Sequence, residues 1–201
     1  MKRILVLMLA VLALGTAASC TAGKDAASCA AKHLLFGEVM SADDAFAAAK
    51  KGGAVVFEGA VCVAGKDIWN EFYAKVQNGE PASVLCATYY TLYPEKMTEE
   101  AYEAEKDRYP QLYFTLLEYD GRVFSYATRL SSDESADDTG EYPYLMHYTG
   151  ELNPQAAHDY YDYYVLVNDP NATWEKIEHG MFSSMFGRYI PHKMVYTDMF
   201  D

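Results

Sequence analysis

Tyrosine is the residue type that gives this sequence its clearest capacity for binding chemistry. The chain contains 18 tyrosines, and the stretch HDYYDYYVLVND, which begins at His158, places four of them within five positions. Exposed aromatic rings offer flat faces to sugar rings, peptides or cationic groups. The candidates for a ligand-binding platform are tyrosines on the outward faces of predicted strands: Tyr113, Tyr119, Tyr160 and Tyr164. The alternative is that these rings pack under helices or against one another across strands.

The sequence carries none of the short motifs that are typical of hydrolases, metalloenzymes and nucleotide-binding enzymes. It contains no GxSxG, no SxxK, no HExxH and no glycine-rich loop followed by Lys-Ser or Lys-Thr. The five histidines are scattered along the chain: His33, His147, His158, His179 and His192. We therefore expect no cofactor, no metal site and no catalytic residues. The alternative is an extracellular hydrolase whose site assembles from distant segments, as catalytic triads do.

Two groups of acidic residues could be mistaken for functional carboxylates. The first lies in MTEEAYEAEKDRYP, where nothing apolar surrounds the carboxylates, so we interpret them as a solvated helix face. The second lies in the loop SSDESADDTGE. Four of its acidic residues, Asp133, Asp137, Asp138 and Glu141, do not keep the ligand spacing of a calcium-binding EF-hand loop. We expect a mobile hairpin loop there.

The N-terminus reads as an export signal that ends at a cysteine. Lys2 and Arg3 precede an apolar run that is too short to span a bilayer, and small residues follow up to Cys20. The segment LGTAASC resembles a bacterial lipoprotein lipobox, with Ala17 at the place where such boxes usually hold leucine. This resemblance implies lipidation at Cys20 and a protein anchored to a membrane rather than spanning it. Cleavage near Ala18 with release of the protein, or a retained membrane anchor, are the alternatives.

Three cysteines remain if Cys20 carries lipid, and an odd number argues against a disulfide framework. Cys62 and Cys86 lie in apolar runs, which is typical of buried free thiols. A Cys62–Cys86 disulfide is the alternative open to an exported protein. The absence of a CxxC motif argues against zinc binding and thiol redox chemistry.

The charge of the chain excludes one class of partner. Removal of Lys2 and Arg3 with the signal leaves 14 basic residues against 29 acidic ones, a net charge near −15. A surface this negative repels phosphates and anionic headgroups. We therefore expect no nucleic acid partner and contact with a membrane only through the lipid anchor.

Hydrophobic periodicity and capping residues predict the elements of one α+β domain. We assign residues 1–20 to the signal, 21–32 to a flexible tether and 33–201 to the domain. Ser41, Thr98 and Thr173 are predicted helix caps, and a further helix carries Trp69 on its buried face. Alternating runs predict strands, with a hairpin turn at Asp120-Gly121 and a last short strand at residues 195–197. We expect an antiparallel sheet of about five strands with three or four helices packed mainly on one face.

The strand within HDYYDYYVLVND separates its side chains onto two faces. Tyr161, Tyr163, Val165 and Val167 point to one side, and Tyr160, Asp162, Tyr164 and Leu166 point to the other. The first set is uniformly large and mostly apolar, whereas the second mixes in polar groups. The pattern therefore predicts a half-buried antiparallel strand with its first face inward.

Four segments occur in a recognisable order: WNEFYAKVQNGEPASV, LYFTLLEYDGRVFSY, YPYLMHYTGE and YVLVNDPNATWEKIEHGMFSS. This order resembles that of uncharacterised exported or lipoprotein-type domains from Gram-positive bacteria. The resemblance covers roughly residues 54–186 and implies a surface location, but it brings no catalytic residue and no ligand. We predict a non-enzymatic cell-surface lipoprotein that binds an envelope component, either a glycan or a protein.

Overall fold

The computed structural model describes residue 32 and residues 36–136, 138–182 and 189–201. Four α-helices lie in these ranges: α1 (Ala42–Lys51), α2 (Lys66–Gln77), α3 (Glu99–Glu105) and α4 (Trp174–Met181). The nine strands are β1 (Val55–Glu58), β2 (Val61–Ala64), β3 (Ala82–Tyr90), β4 (Gln111–Tyr119), β5 (Phe124–Leu130), β6 (Asp138–Tyr142), β7 (Tyr144–Glu151), β8 (Tyr160–Val167) and β9 (His192–Phe200). The prediction of a single α+β domain with three or four helices is confirmed, and the structure has four.

Three helices begin at the residues that the sequence predicts as caps. The side-chain oxygens of Ser41, Thr98 and Thr173 each accept a hydrogen bond from a backbone N–H three residues later. Each bond satisfies one of the free N–H groups of the first helical turn. Trp69 on α2 is 1% exposed, so its predicted place in the core is confirmed.

The larger of the two sheets has six strands in the order β2-β1-β3-β4-β5-β6. All its neighbouring strands are antiparallel except β1 and β3, which pair in parallel from Val55↔Cys86 to Glu58↔Tyr89. The hairpin between β4 and β5 turns at Gly121, whose φ of 97° is a conformation that favours glycine. The Asp120 carboxylate accepts hydrogen bonds from the N–H groups of Arg122 and Val123 at this turn.

The smaller sheet contains three antiparallel strands in the order β7-β8-β9. Its central strand, β8, contains the tyrosine-rich stretch. Tyr163 and Val165 pack on the α4 side of this sheet, whereas Tyr164 and Leu166 pack on the side that faces the larger sheet. Both faces of β8 are therefore covered, and all five residues from Tyr163 to Val167 are buried.

The elements form layers around these two sheets. Helix α1 packs Ala45 and Ala49 against the outer face of the larger sheet, over Leu85 and Phe114. The inner face of that sheet packs against α2 and the smaller sheet in one continuous core. Helix α4 packs against the far face of the smaller sheet through Ile177.

Strand β9 runs across the larger sheet rather than along its strands. Near its start, Lys193 forms an ion pair with Asp138 of β6. Near its end, the Met199 N–H donates to the Ala60 carbonyl in the β1–β2 turn. Since β6 and β2 are opposite edges of the larger sheet, β9 crosses the strands between them, as in orthogonal sheet packing.

The architecture differs from the sequence prediction in two respects. The strands form one mixed and one antiparallel sheet instead of a single antiparallel sheet, because β1 and β3 are joined by a crossover that includes α2. The helices pack on several faces because the two sheets share one inner layer and leave two outer faces to cover.

Several local predictions also differ from the structure or lie beyond its described part. The predicted acidic loop contains strand β6, and the last strand extends over all nine residues of β9. The predicted signal with Cys20 and the tether residues 21–31 lie outside the described residues.

Candidate functional site

The inner face of the larger sheet changes from apolar to hydroxyl-bearing along three neighbouring strands. Its inward side chains are Val84, Cys86, Thr88 and Tyr90 on β3, Leu117, Thr115 and Tyr113 on β4, and Phe124, Tyr126 and Thr128 on β5. Because β4 is antiparallel to both neighbours, the hydroxyl-bearing ends of the three strands lie together. The apolar ends lie under α2 and the smaller sheet.

A cleft of about 320 Å³ opens over this hydroxyl-bearing part of the sheet. Its lining comes from β3, β4, β5, β6 and β9: Thr88, Tyr90, Tyr113, Thr115, Thr128, Arg129, Leu130, Asp138, Lys193 and Met194. The volume is at the lower end of the range for small-molecule pockets, about 300–1,000 Å³. The cleft therefore has the size of a site for a small ligand.

The floor of the cleft consists largely of side chains that both donate and accept hydrogen bonds. The hydroxyls of Thr115 and Thr128 lie 3.0 Å apart across the β4–β5 pair. Thr88 lies one strand away on β3. A hydroxyl offers one donor and two acceptor positions, so this pair keeps capacity for a ligand after bonding to each other.

Two tyrosine rings border the floor. The rings of Tyr90 and Tyr113 meet edge to face at 6.0 Å, and Tyr90 is 43% exposed. The Tyr113 hydroxyl donates to the Gln111 side chain at 3.0 Å. Burial raises the pKa of Tyr90, so its hydroxyl remains protonated at neutral pH.

An ion pair closes the cleft between the two sheets. Lys193 Nζ lies 2.6 Å from Asp138 Oδ2, and the Tyr126 hydroxyl donates to Asp138 Oδ1 at 2.8 Å. The hydrogen bond from Lys193 holds the pKa of the Asp138 carboxyl below its usual range. Burial and the neighbouring Asp138 raise the pKa of Tyr126. At neutral pH Lys193 and Asp138 therefore form an ion pair in which the two charges compensate each other.

Gly140 makes room for the tyrosine that supports this wall. It lies opposite Tyr126 in the β5–β6 register, and a Cβ at residue 140 would come within 2.8 Å of Tyr126 Cε1. The glycine therefore allows the Tyr126 ring to lie over β6 and reach Asp138.

The guanidinium of Arg129 does not contribute its charge to the cleft. It lies over the ring of Phe114, which packs on the outer face of the sheet, at 5.3 Å. There it donates to the backbone carbonyls of Glu38 and Asp133. Hence Lys193 and Asp138 are the charged side chains of the cleft lining.

A second polar cluster links α2 to the smaller sheet. Asp198 accepts hydrogen bonds from Lys66 Nζ at 2.8 Å and from the Cys62 N–H at 3.1 Å. In the β8–β9 register it lies opposite Asp162, whose carboxylate is 2.6 Å from His147 Nε2. Burial raises the pKa of the Cys62 thiol, which is therefore not activated as a nucleophile. We interpret this cluster as an arrangement that satisfies two neighbouring carboxylates.

The four candidate tyrosines have different surroundings. Tyr113 lines the cleft, but Tyr119 stacks on Phe124 at 4.5 Å and packs against the core. Tyr160 is 42% exposed and stacks on Phe200, away from the cleft lining. The predicted outward position of Tyr164 is wrong, because its ring is 6% exposed and packs against Trp69 and other rings of the inner layer.

The structure does not bring the two candidate disulfide cysteines together. Cys62 and Cys86 are free thiols. Strand β1 lies between β2 and β3, so their Cα atoms are separated by two strand spacings, about 10 Å. A disulfide requires less than about 7 Å. Cys86 is buried, which agrees with the predicted free thiol, whereas Cys62 is half-buried.

Most residues of the cleft are not recognisable as site residues from the sequence: Thr88, Tyr90, Thr115, Thr128, Asp138 and Lys193. A signal for the floor exists in the sequence, since the inward positions of three strands change from apolar residues to threonine and tyrosine. This signal can be recognised only when the strand register is known, because the register shows that these strand ends lie together. Asp138 and Lys193 are 55 residues apart, and no local pattern connects them.

No group of three or more His, Cys, Asp or Glu side chains that could hold a metal ion occurs among the described residues. In the same part of the chain, no helix has the length and apolar character needed to cross a membrane. Comparison with known proteins finds no family model, no curated protein and no solved structure that matches the chain.

Proposed function

We propose that this protein is a non-enzymatic binding module of the cell surface and that its cleft holds a small polar ligand. One observation carries the proposal: hydroxyl groups from three adjacent strands converge on a cavity between the two sheets. If these inward positions held apolar side chains, the two sheets would pack together there and the core would be larger. Polar groups that converge in a concave pocket are typical of a ligand site.

The chemistry of the cleft favours binding over catalysis. Asp138 is bonded to Lys193 and Tyr126, which favours its ionised form, and the tyrosine hydroxyl of Tyr90 stays protonated. A general acid or base works best with a pKa near the working pH. The hydrolase alternative would instead draw on the second cluster, where the His147 ring is hydrogen-bonded to the Asp162 carboxylate and stacks on the Tyr164 ring.

The proposed location and partner rest on the sequence. The N-terminal signal and the lipobox-like LGTAASC segment favour export and a lipid anchor at Cys20, with release after cleavage as the alternative. The acidic composition disfavours nucleic acid. An envelope component, a glycan or a protein segment, is the proposed partner, in keeping with the resemblance to exported lipoprotein-type domains.

A thermal-shift screen tests the proposal. The panel contains oligosaccharides, cell-wall fragments, short peptides, quaternary amines and calcium. A ligand at a hundred times its dissociation constant stabilises the protein by about 2.7 kcal/mol, which raises the melting temperature by several degrees. The double variant Thr115→Val/Thr128→Val should lose this shift. It should itself fold normally, because replacing both partners of a hydrogen bond by apolar groups of the same shape is nearly neutral.

Thr149→Val is the matched control. It makes the same chemical change at an exposed position on β7, away from the cleft lining. It should keep the full ligand-induced shift. A shift that survives unchanged in the double variant would place binding elsewhere, and a panel without any shift would count against a small-ligand site.

A further inference from the structure

The charged side chains of the cleft limit which ligand charge it can accommodate. This inference rests on the proposed function. The charged side chains of the lining are Asp138 and Lys193, and they are paired with each other at 2.6 Å. The remaining oxygen of Asp138 accepts from Tyr126. Both charges are therefore already compensated within the protein, so these two side chains offer no spare counter-charge to an ionic ligand.

The long-range field of the protein acts in the same direction for anions. The chain carries a net charge of −13 at pH 7, so the surface potential repels carboxylates and phosphates on their approach. Arg129, a further positive side chain at the edge of the cleft, directs its guanidinium to backbone carbonyls and to the Phe114 ring. Among the described lining residues, the positive charges of Lys193 and Arg129 are therefore directed at groups of the protein and not at an anionic ligand.

The uncharged part of the lining suits a ligand with many hydroxyl groups and one apolar face. The threonine hydroxyls at residues 88, 115 and 128 can each donate to or accept from a ligand hydroxyl. The exposed ring of Tyr90, set edge to face with Tyr113, supplies a flat apolar surface at the mouth. Sugar rings combine these two properties, since their C–H groups form an apolar face and their hydroxyls lie around the rim.

We infer that the cleft binds a neutral saccharide of the size of a mono- or disaccharide. One ring packs on Tyr90, and its hydroxyls bond to the threonines of the floor. The ion pair between Asp138 and Lys193 stays intact in the complex and contributes acceptor and donor atoms at its margin.

Isothermal titration with matched saccharides tests the inference. The set contains neutral mono- and disaccharides of gluco, galacto and manno configuration, each with its uronate and its 2-amino analogue. At least one neutral sugar should bind more tightly than both of its charged analogues, by about tenfold or more, which is about 1.4 kcal/mol. Thr115→Val/Thr128→Val should weaken that binding by about tenfold or more, because the sugar hydroxyls would lose their hydrogen-bond partners on the floor of the cleft.

Three outcomes would overturn the inference, and they separate it from the proposed function. A uronate or amino sugar that binds more tightly than its neutral parent, and loses affinity in the double variant, refutes the neutral ligand but keeps the cleft as a site. Neutral-sugar binding that the double variant does not weaken, with Thr149→Val as control, refutes the cleft itself. No saccharide binding, together with a thermal shift from peptides or amines that needs Thr115 and Thr128, leaves the binding module and refutes the sugar.

Tyr90→Ala provides an independent variant for the proposed stacking. Tyr90 is exposed at the mouth, so its replacement should not disturb folding. It should weaken binding of the neutral sugar by about tenfold, because it removes the aromatic face on which the sugar ring packs. Tyr90→Phe keeps the ring and should retain most of the affinity. Equal affinity of the wild type and Tyr90→Ala would contradict the stacking.

Discussion

Asp198 is the acidic side chain on which the link between α2, β2 and β9 depends. It is 5% exposed, and its two oxygens accept from Lys66 and from the Cys62 backbone N–H. Lys66 is largely exposed, so its ion pair contributes little to the free energy of unfolding. The backbone N–H of Cys62 would lose this acceptor if the carboxylate were removed.

Asp198→Ala should therefore lower the free energy of unfolding by about 1 kcal/mol or more, the cost of leaving the partly buried N–H of Cys62 without its acceptor. Urea unfolding measures the change. Asp201→Ala is the control, since that exposed carboxylate bonds to the His158 ring at the surface, and its loss should change stability by less than about 0.5 kcal/mol. Equal effects of the two substitutions would contradict the role assigned to Asp198.

Tyr160 and Tyr164 differ in burial although they lie on the same side of β8. Tyr164 is buried between Trp69, Tyr73 and Tyr196, whereas Tyr160 stacks on Phe200 at the edge of the sheet. The alternation of a strand assigns residues to two faces but does not say what covers each face. The cover of each face comes from α2 and β9. Helix α2 lies far from β8 in the sequence, and β9 pairs with β8 only in the folded state.

Tyr164→Ala should lower the free energy of unfolding by about 3–5 kcal/mol, as expected for the loss of a large aromatic core residue. Tyr160→Ala should cost about 1 kcal/mol or less, since it removes a half-exposed stacked pair. Chemical denaturation of both variants compares the two positions directly. A small change in the free energy of unfolding for Tyr164→Ala would contradict the burial of its ring in the inner layer.

At the scale of elements, the contact between β6 and β9 has a predictable pH dependence. The Lys193 ammonium lowers the pKa of the Asp138 carboxyl in the folded protein. Because the unfolded chain takes up this proton at higher pH, the contribution of Asp138 to stability is fully present above the unfolded pKa of about 3.9. It is lost as the pH falls from there through the lower, folded pKa.

Unfolding of the wild type and Asp138→Asn between pH 7 and pH 3 tests this dependence. The difference in unfolding free energy should be constant above about pH 5 and should shrink toward pH 3. Lys193→Met should remove most of the acid dependence that Asp138 causes, because Lys193 is its main source. A difference between wild type and Asp138→Asn that stays constant down to pH 3 would contradict the assignment.

The same elements show which parts of the fold a sequence can predict. The caps at Ser41, Thr98 and Thr173 depend on bonds to residues three positions away, so the local sequence suffices. Strand β6 escaped prediction because DTGEY has few β-formers, and its pairing with β5 and its fit around Gly140 stabilise it instead. The parallel pairing of β1 with β3 is likewise determined by tertiary contacts and not by the local sequence.

At the scale of the whole molecule, two sheets of unequal size produce the cleft. The smaller sheet and α2 cover only part of the inner face of the larger one, and β9 marks the limit of that cover. Beyond it the strands carry hydroxyls in place of apolar side chains. Tyr113 is the one sequence-predicted candidate that lies in the lining, because the sequence identified an aromatic strand but not where the second sheet ends.

The proposed function depends on a ligand that binds in the cleft. It is tested most directly by methyl NMR of the threonines, with resonances assigned through Thr→Val variants. The protein is titrated with the compound that stabilises it most in the thermal-shift screen. The largest methyl shifts should occur at Thr88, Thr115 and Thr128, with Thr149 unchanged. Shifts confined to threonines outside the cleft lining, with the three floor methyls unmoved, would contradict it.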